Sequence, residues 1–392
     1  MIQIEEIQAA LQDAHLDAWL FFDHHRRDPL AYRILGLQPE QEVTRRWYYL
    51  IPAQGEPRGL VHRIEPFMLQ DLPGCKLQYS SWAEQVEGLQ GLLAGCRRVA
   101  MQYSPFCSIS YISMVDAGTV ELIQSLGITV VSSADLVQYF EARWSEQQLR
   151  MHLEAGRLVD EIRRLGFEMV DNRIRKGQVV TEWQVKKFLL DRFAEAGLVT
   201  LDGPIVAAGK NSANPHYEPM ENASCEICKG DVLLFDMWAK LNRPRAVYYD
   251  VTWTGICGRE PSAELENVFE VVRGARDRAI GRIQEAVASG QRLRGWEVDD
   301  AARQYIQARG YGEYFTHRTG HSIGEDVHGV GANMDNLETH DERWIIPRTG
   351  FSIEPGVYLG KYGVRSEVNV FVEEQRAFVT GEIQQKLVVM GV

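Results

Sequence analysis

Apolar positions recur along this chain with two different periods, and the switch between them marks out its elements. Residues 5–15 carry apolar side chains at helical spacing, and DAWLFFD is an unbroken apolar run of strand length. RRWYYLIP, RGLVHRI, RRVAMQY and ITVVSS read as further strands, with helices near 81–95 and 116–126 between them. That alternation predicts a compact mixed α/β domain ending near Tyr139. From Ser145 a long helical pattern, SEQQLRMHLEAGRLVDEIRRLGFEMV, opens a second unit, with the serine as cap and a glutamate beside it. Helices over 181–196, 262–289 and 297–309 then separate pairs of strands. The division predicted is 1–142 and 143–392, with no repeat, Pro-rich linker or low-complexity tract.

In the second unit the strand pattern is interrupted by acids. VLLFDMW places Asp236 after an apolar run, and in VYYDVTWTG the alternation puts Tyr248, Asp250, Thr252 and Thr254 on one face. GFSIEPGVY sets Ser352 and Glu354 opposite Phe351 and Ile353, while GVRSEVNVFV groups Arg365, Glu367 and Asn369. His321 lies in THRTGHSIGEDVHG. Each acid taken alone could be a satisfied structural carboxylate. Four that converge would repel one another and lose hydration, so they would need raised pKa values or counter-charge. Two divalent ions supply four positive charges, and oxygen and imidazole donors suit manganese, cobalt, zinc or iron.

THRTGHSIGEDVHG, GFSIEPGVY and GVRSEVNVFV resemble the signature segments of the pita-bread metallopeptidases, the group of methionine aminopeptidase, aminopeptidase P and prolidase. The order Asp, Asp, His, Glu, Glu is the same, and the resemblance covers roughly residues 145–385. It implies an α/β (α+β) protein, with an N-terminal creatinase/prolidase-like α/β domain followed by a C-terminal pita-bread catalytic domain. Two departures stand out. The LNRPR segment lengthens the hairpin expected between Asp236 and Asp250, and Trp238-Ala239 replaces the family's usual glycine.

The same resemblance implies roles. Asp250 and Glu367 bridge the two ions, Asp236 completes one, and His321 and Glu354 complete the other. Hydrolysis of an N-terminal Xaa-Pro bond through a metal-bridging hydroxide follows, with manganese first among the metals and Glu354 taking the proton. His216 and His328 match positions that contact substrate or the tetrahedral intermediate, and His317 is a substrate-binding or orienting residue. Arg365 shares a face with Glu367, and two readings of it stand side by side: recognition of a substrate carbonyl or carboxylate, or a counter-ion for the acids. The N-terminal domain points to aminopeptidase P or prolidase rather than methionine aminopeptidase, and a homodimer is implied. The alternatives are another metal-dependent hydrolase or lyase on the same scaffold, or a non-catalytic binding protein.

Composition narrows the partners. Of 392 residues, 45% are hydrophobic and 24% charged, and no apolar run approaches the length of a membrane span. A net charge of −12 argues against nucleic acid. MIQIEEIQAAL is acidic and amphipathic rather than signal-like, so the expected location is cytoplasmic. The six cysteines show no disulfide framework, and the lone Cys225/Cys228 pair reads as incidental rather than as a zinc site. The polar run His24–Arg27 reads as a solvated loop.

Overall fold

The computed structural model describes residues 4–38, 40–258 and 260–391. The chain divides into two compact units, Met1–Glu141 and Ala142–Val392. The first comprises α1 (Ile4–Asp13), β1 (Ala18–Asp23), α2 (Pro29–Leu35), β2 (Trp47–Pro52), β3 (Arg58–His62), β4 (Cys75–Tyr79) and α3 (Trp82–Leu92). After these come β5 (Arg98–Met101), α4 (Ala117–Ser125), β6 (Thr129–Ser132) and α5 (Ala134–Val137). The strands form one sheet, β4-β3-β2-β1-β5-β6, in which β1 runs antiparallel to β2 and parallel to β5. Leu20 and Phe22 of β1 pack with Leu89 and Leu92 of α3 and Val120 and Ile123 of α4, and Trp19 and Phe21 on the opposite face are fully buried too, so DAWLFFD is apolar at successive positions.

Two elements here escape the hydrophobic pattern. α2 begins where a polar loop was expected: Asp28 accepts the Ala31 N–H, Pro29 sits in the first turn, and Gly36 ends the helix in a left-handed conformation. β4 is mostly exposed and has almost no alternation; parallel pairing with β3 from Arg58↔Cys75 to His62↔Tyr79 makes it a strand.

The second unit opens with α6 (Glu146–Arg175) and α7 (Glu182–Glu195), both started by capping boxes, Ser145 with Gln148 and Thr181 with Gln184. Then come β7 (Leu198–Val199), β8 (Ile205–Ala208), β9 (Val232–Leu241), β10 (Tyr249–Cys257), α8 (Ala263–Ser289) and α9 (Gly295–Gln307). The remaining strands are β11 (Ser322–Ile323), β12 (Gly350–Ile353), β13 (Gly356–Leu359), β14 (Tyr362–Arg365), β15 (Val368–Val372), β16 (Ala377–Val379) and β17 (Val388–Met390). One sheet runs β17-β10-β9-β7 with β8 also on β9, a second runs β11-β12-β15-β16, and β13 and β14 form a hairpin.

Each large sheet has its own pair of helices. Val159, Val170, Val185 and Leu189 of α6 and α7 bury against Phe235 and Val251, with Phe167 stacked on Phe235 at 4.2 Å. Val272, Ala279, Val298 and Ile306 of α8 and α9 bury against Phe351, Val368 and Val370. β9 and β10 are the antiparallel hairpin expected of them, and most of LNRPR lies in its connection. None of the described helices is long and apolar enough to cross a membrane.

Candidate metal centre

The register of β9 against β10 sets Asp236 directly opposite Thr252 and Asp250 opposite Trp238. Glu354 lies just past β12 and Glu367 just before β15. Both therefore sit where the chain steps between the four-stranded sheet and the β13–β14 hairpin, outside the strand ladders, rather than within the continuous strands that alternation predicts. His321 immediately precedes β11. A Cβ at Gly320 would fall 1.9 Å from the Ser352 carbonyl oxygen, so only glycine lets this segment come so close to β12.

These placements bring the acids and the imidazole together. One donor atom each from Asp250, His321 and Glu367 lies within 4.8 Å of the others. His321 Nε2 is 3.6 Å from Asp250 Oδ2 and 3.4 Å from Glu354 Oε1. The Ser352 hydroxyl accepts the His321 N–H at 2.9 Å and donates to Glu354 Oε1 at 3.1 Å. Asp236 joins through Thr252, whose single hydroxyl proton has two carboxylates in reach, Asp236 Oδ1 at 3.1 Å and Glu367 Oε2 at 2.7 Å. The Asn369 side chain brackets the Asp250 backbone, accepting its N–H at 2.9 Å and donating to its carbonyl at 2.6 Å.

Arg365 is more committed than the sequence suggests. Its guanidinium pairs with Asp236, donates from Nε to Thr252 Oγ1 at 2.9 Å and reaches the Tyr358 hydroxyl at 3.4 Å. Tyr358 also meets His317 Nε2 at 2.7 Å, while His317 Nδ1 faces the Arg318 carbonyl at 2.7 Å. A carbonyl only accepts, so Nδ1 carries the proton and Nε2 takes the tyrosine's. Burial holds this imidazole below its ordinary pKa, in keeping with a neutral ring.

His328 is exposed, its ring edge-on to His321 at 4.3 Å, and its pKa is depressed first by His321. His216 is also exposed, in a loop outside the cluster whose charge His328 feels. That loop is fastened by the buried Glu182, which accepts from Ala208 N, Asn211 Nδ2, Tyr217 Oη and Cys225 N. Cys225 and Cys228 are exposed free thiols, and among the described residues they belong to no metal-capable group.

Protein charges alone do not balance the centre. Burial, then the neighbouring Asp250 and Glu354, push Asp236 up to about 7 against the pull of Arg365. Burial also raises Asp250, and it lifts Glu367 well above the carboxylate range with help from Asp250, Glu354 and Asp236. For Glu354, burial is outweighed by His321, His317, Arg365 and Arg318, so its pKa falls. Asp250 Oδ1 is buried with no hydrogen-bond partner. An orphaned carboxylate oxygen beside oxygen and nitrogen donors, in a pocket short of positive charge, fits a divalent cation.

Tyr358 and the Asp299–Arg303 pair are structural partners that strand alternation does not mark. Thr252 lies on the Asp250 face as alternation predicts, and the structure adds its role, a hydroxyl between Asp236 and Glu367. Asp299 and Arg303 form an i,i+4 pair on α9, and together they hold the segment leading to His321.

Comparisons with known proteins bear on the family and the fold. Residues 150–374 match the model of metallopeptidase family M24. The chain is 31% identical over 237 residues to a Xaa-Pro dipeptidase of Lactobacillus delbrueckii subsp. lactis, a match covering 60% of this chain and 58% of that one. It is 26% identical over 349 residues to a probable dipeptidase PepE of Mycobacterium bovis, covering 88% and 85%. The crystal structure of dipeptidase PepE from Mycobacterium ulcerans superposes with a TM-score of 0.72 at 22% identity, over 99% of this chain and 97% of that one, so the fold is shared throughout. The expected architecture, a mixed α/β unit followed by a pita-bread unit, is the one observed. This chain belongs to metallopeptidase family M24.

Proposed function

We propose that the protein is a dinuclear-metal exopeptidase that hydrolyses the N-terminal Xaa-Pro bond of peptides or dipeptides. The observation that carries this reading is the buried Asp250 Oδ1, without a protein partner, beside His321 and Glu367. The names of relatives, a Xaa-Pro dipeptidase among them, support the substrate class. Asp236, Asp250, His321, Glu354 and Glu367 would hold two divalent ions, manganese first and cobalt, zinc or iron as alternatives. When bound, the ions supply the missing counter-charge, polarise the scissile carbonyl and bring a water's pKa toward neutrality.

The chain's own groups do the rest. Glu354, kept ionised by His321, His317 and Arg365, accepts the proton of the attacking water and returns it to the prolyl nitrogen as the C–N bond breaks. His328, held neutral, donates a hydrogen bond to the carbonyl oxygen as it gains charge, and His216 steadies the atoms beside it. Arg365 acts as counter-ion to Asp236, because its Thr252, Asp236 and Tyr358 contacts leave little of the fork for a substrate carboxylate. Tyr358 and His317 form the wall beside it. A homodimer and a cytoplasmic location are part of the same proposal.

A panel of Xaa-Pro and matched Xaa-Ala dipeptides and tripeptides, assayed after chelation and readdition of manganese, cobalt or zinc, tests the reading. Proline fixes φ and removes a donor N–H, so a pocket shaped for it separates the two series. Xaa-Pro substrates should be cleaved faster, and only with metal restored. Hydrolysis of Xaa-Ala at least as fast would reject the proline specificity, and activity indifferent to chelator would reject the metal centre.

A further inference from the structure

The first unit contains a cavity of about 570 Å³ that the proposed reaction does not use. Its walls carry the guanidinium groups of Arg27, Arg45 and Arg46, with the His24, His25 and His62 imidazoles beside them, in a chain of net charge −12. Among the described residues no carboxylate forms an ion pair with Arg27, Arg45 or Arg46, and the Arg45 guanidinium donates only to Thr44, its carbonyl at 3.3 Å and its hydroxyl at 3.1 Å. The one acid in the wall, Asp116, has both oxygens taken by the Thr119 N–H and hydroxyl at 2.9 and 2.8 Å. The His24 and His25 rings lie 4.2 Å apart. Burial, then His25, Arg27 and Arg46, depress the His24 pKa.

These groups are held in place by carboxylates behind the wall. Asp23 accepts the Arg26, Arg27 and Asp28 N–H groups at 2.9, 2.7 and 3.1 Å, with His25 and Arg26 both in left-handed backbone (φ 63° and 56°) that non-glycine residues rarely adopt. Glu65 accepts the Thr44 N–H and hydroxyl and the Arg45 N–H at 2.9, 2.6 and 3.1 Å. The N-terminal ends of α3 and α4 open on the same space, through Ser81 and Trp82 and through Asp116 and Thr119. Glu84 and Asp116 already cap these two ends, so the helix dipoles are largely offset and the guanidinium groups set the charge of the cavity.

We infer that this cavity binds a small molecule bearing a phosphate monoester. A dianion with several acceptor oxygens matches three guanidinium forks, whereas a single carboxylate would leave two of them unbalanced. The volume lies in the range of small-molecule sites and exceeds what a bare phosphate fills. Trp82, 79% exposed at the rim, offers a flat face to the rest of the ligand.

Isothermal titration of the metal-loaded full chain in low-salt buffer tests this with AMP, ribose 5-phosphate and adenosine as probes. AMP and ribose 5-phosphate should each bind once per chain, and adenosine should not. The double variant Arg45→Gln/Arg46→Gln and, in the other loop, Arg27→Gln should each weaken AMP binding at least tenfold while keeping the parent's circular dichroism. Adenosine binding as tightly as AMP overturns the inference. So does an AMP affinity unchanged in both variants, the result expected if phosphate were captured at the metal centre instead. Neither outcome depends on the peptidase reading.

Discussion

Replacing Asp299 by alanine would remove a support that lies behind the metal centre and touches none of its donor atoms. Asp299 is fully buried, and its carboxylate accepts Arg303 Nε and Nη2 at 2.7 and 2.9 Å and the Thr319 N–H and hydroxyl at 2.9 and 2.7 Å. Arg303 in turn donates to the Phe315 and His317 carbonyls at 3.1 and 2.9 Å. Helix α9 thereby clamps residues 315–319, and the Thr319 carbonyl accepts the Glu354 N–H at 2.7 Å. Alanine strands two Thr319 donors, at about 1–3 kcal/mol for each one left buried. Breaking a buried ion pair from one side costs on the order of 3–5 kcal/mol. Because the Arg303 side chain is 19% exposed, water relieves much of the ion-pair cost, and with the two stranded donors a total loss of about 5 kcal/mol is expected. Asp299→Asn keeps the shape but not the charge and should cost about half as much, near the value of one hydrogen bond to a charged group. Urea unfolding followed by circular dichroism reads the stability, and elemental analysis reads bound metal, which should fall as Glu354 and His321 lose their fixed positions. An Asp299→Ala protein within about 0.5 kcal/mol of the parent, the range of an ordinary surface substitution, and with undiminished metal would refute the clamp.

Three further outcomes follow from the same geometry. His321→Ala should lower metal content, whereas His328→Ala should keep the metal and slow turnover by roughly two orders of magnitude, as for a lost transition-state donor; equal metal loss in both would show the roles misassigned. Arg365→Leu leaves Asp236 without its charge partner, so metal content or thermal stability should fall while the ratio of dipeptide to tripeptide cleavage stays constant; a collapse of that ratio alone would assign Arg365 to the substrate carboxylate. His152 is fully buried between the Tyr248 carbonyl and the Thr380 hydroxyl, and burial lowers its pKa from 6.5 to about 4. Above pH 6.5 the ring is neutral folded or unfolded and contributes no pH slope; as pH falls from 6.5 to 4 only the unfolded chain takes up the proton, so about 3 kcal/mol of stability is lost, levelling off below pH 4. Subtracting the stability-versus-pH curve of His152→Gln should reveal that step, and a flat difference would mean the group is not responsible.

Local pattern was enough for most elements of this chain. Capping boxes at Ser145 and Thr181, the apolar run of β1 and the alternation around Asp250 are signals carried within a few residues, and the helices and strands they predict are present. The order of Asp236, Asp250, His321, Glu354 and Glu367 was likewise legible, because each interrupts or follows an apolar strand. What tertiary structure alone decided is how those positions meet. The β9–β10 register puts Thr252 across from Asp236, the chain steps at Glu354 and Glu367 free both acids from their ladders, and the fold carries Arg365 to Asp236, 129 residues away. β4 became a strand by pairing with β3, without an apolar pattern of its own. Periodicity records which face of an element is buried, but a hydrogen bond between distant side chains depends on where two elements cross. That crossing is set by packing of the whole unit, so Tyr358 against His317 and the α9 clamp on Thr319 leave no local trace in the sequence.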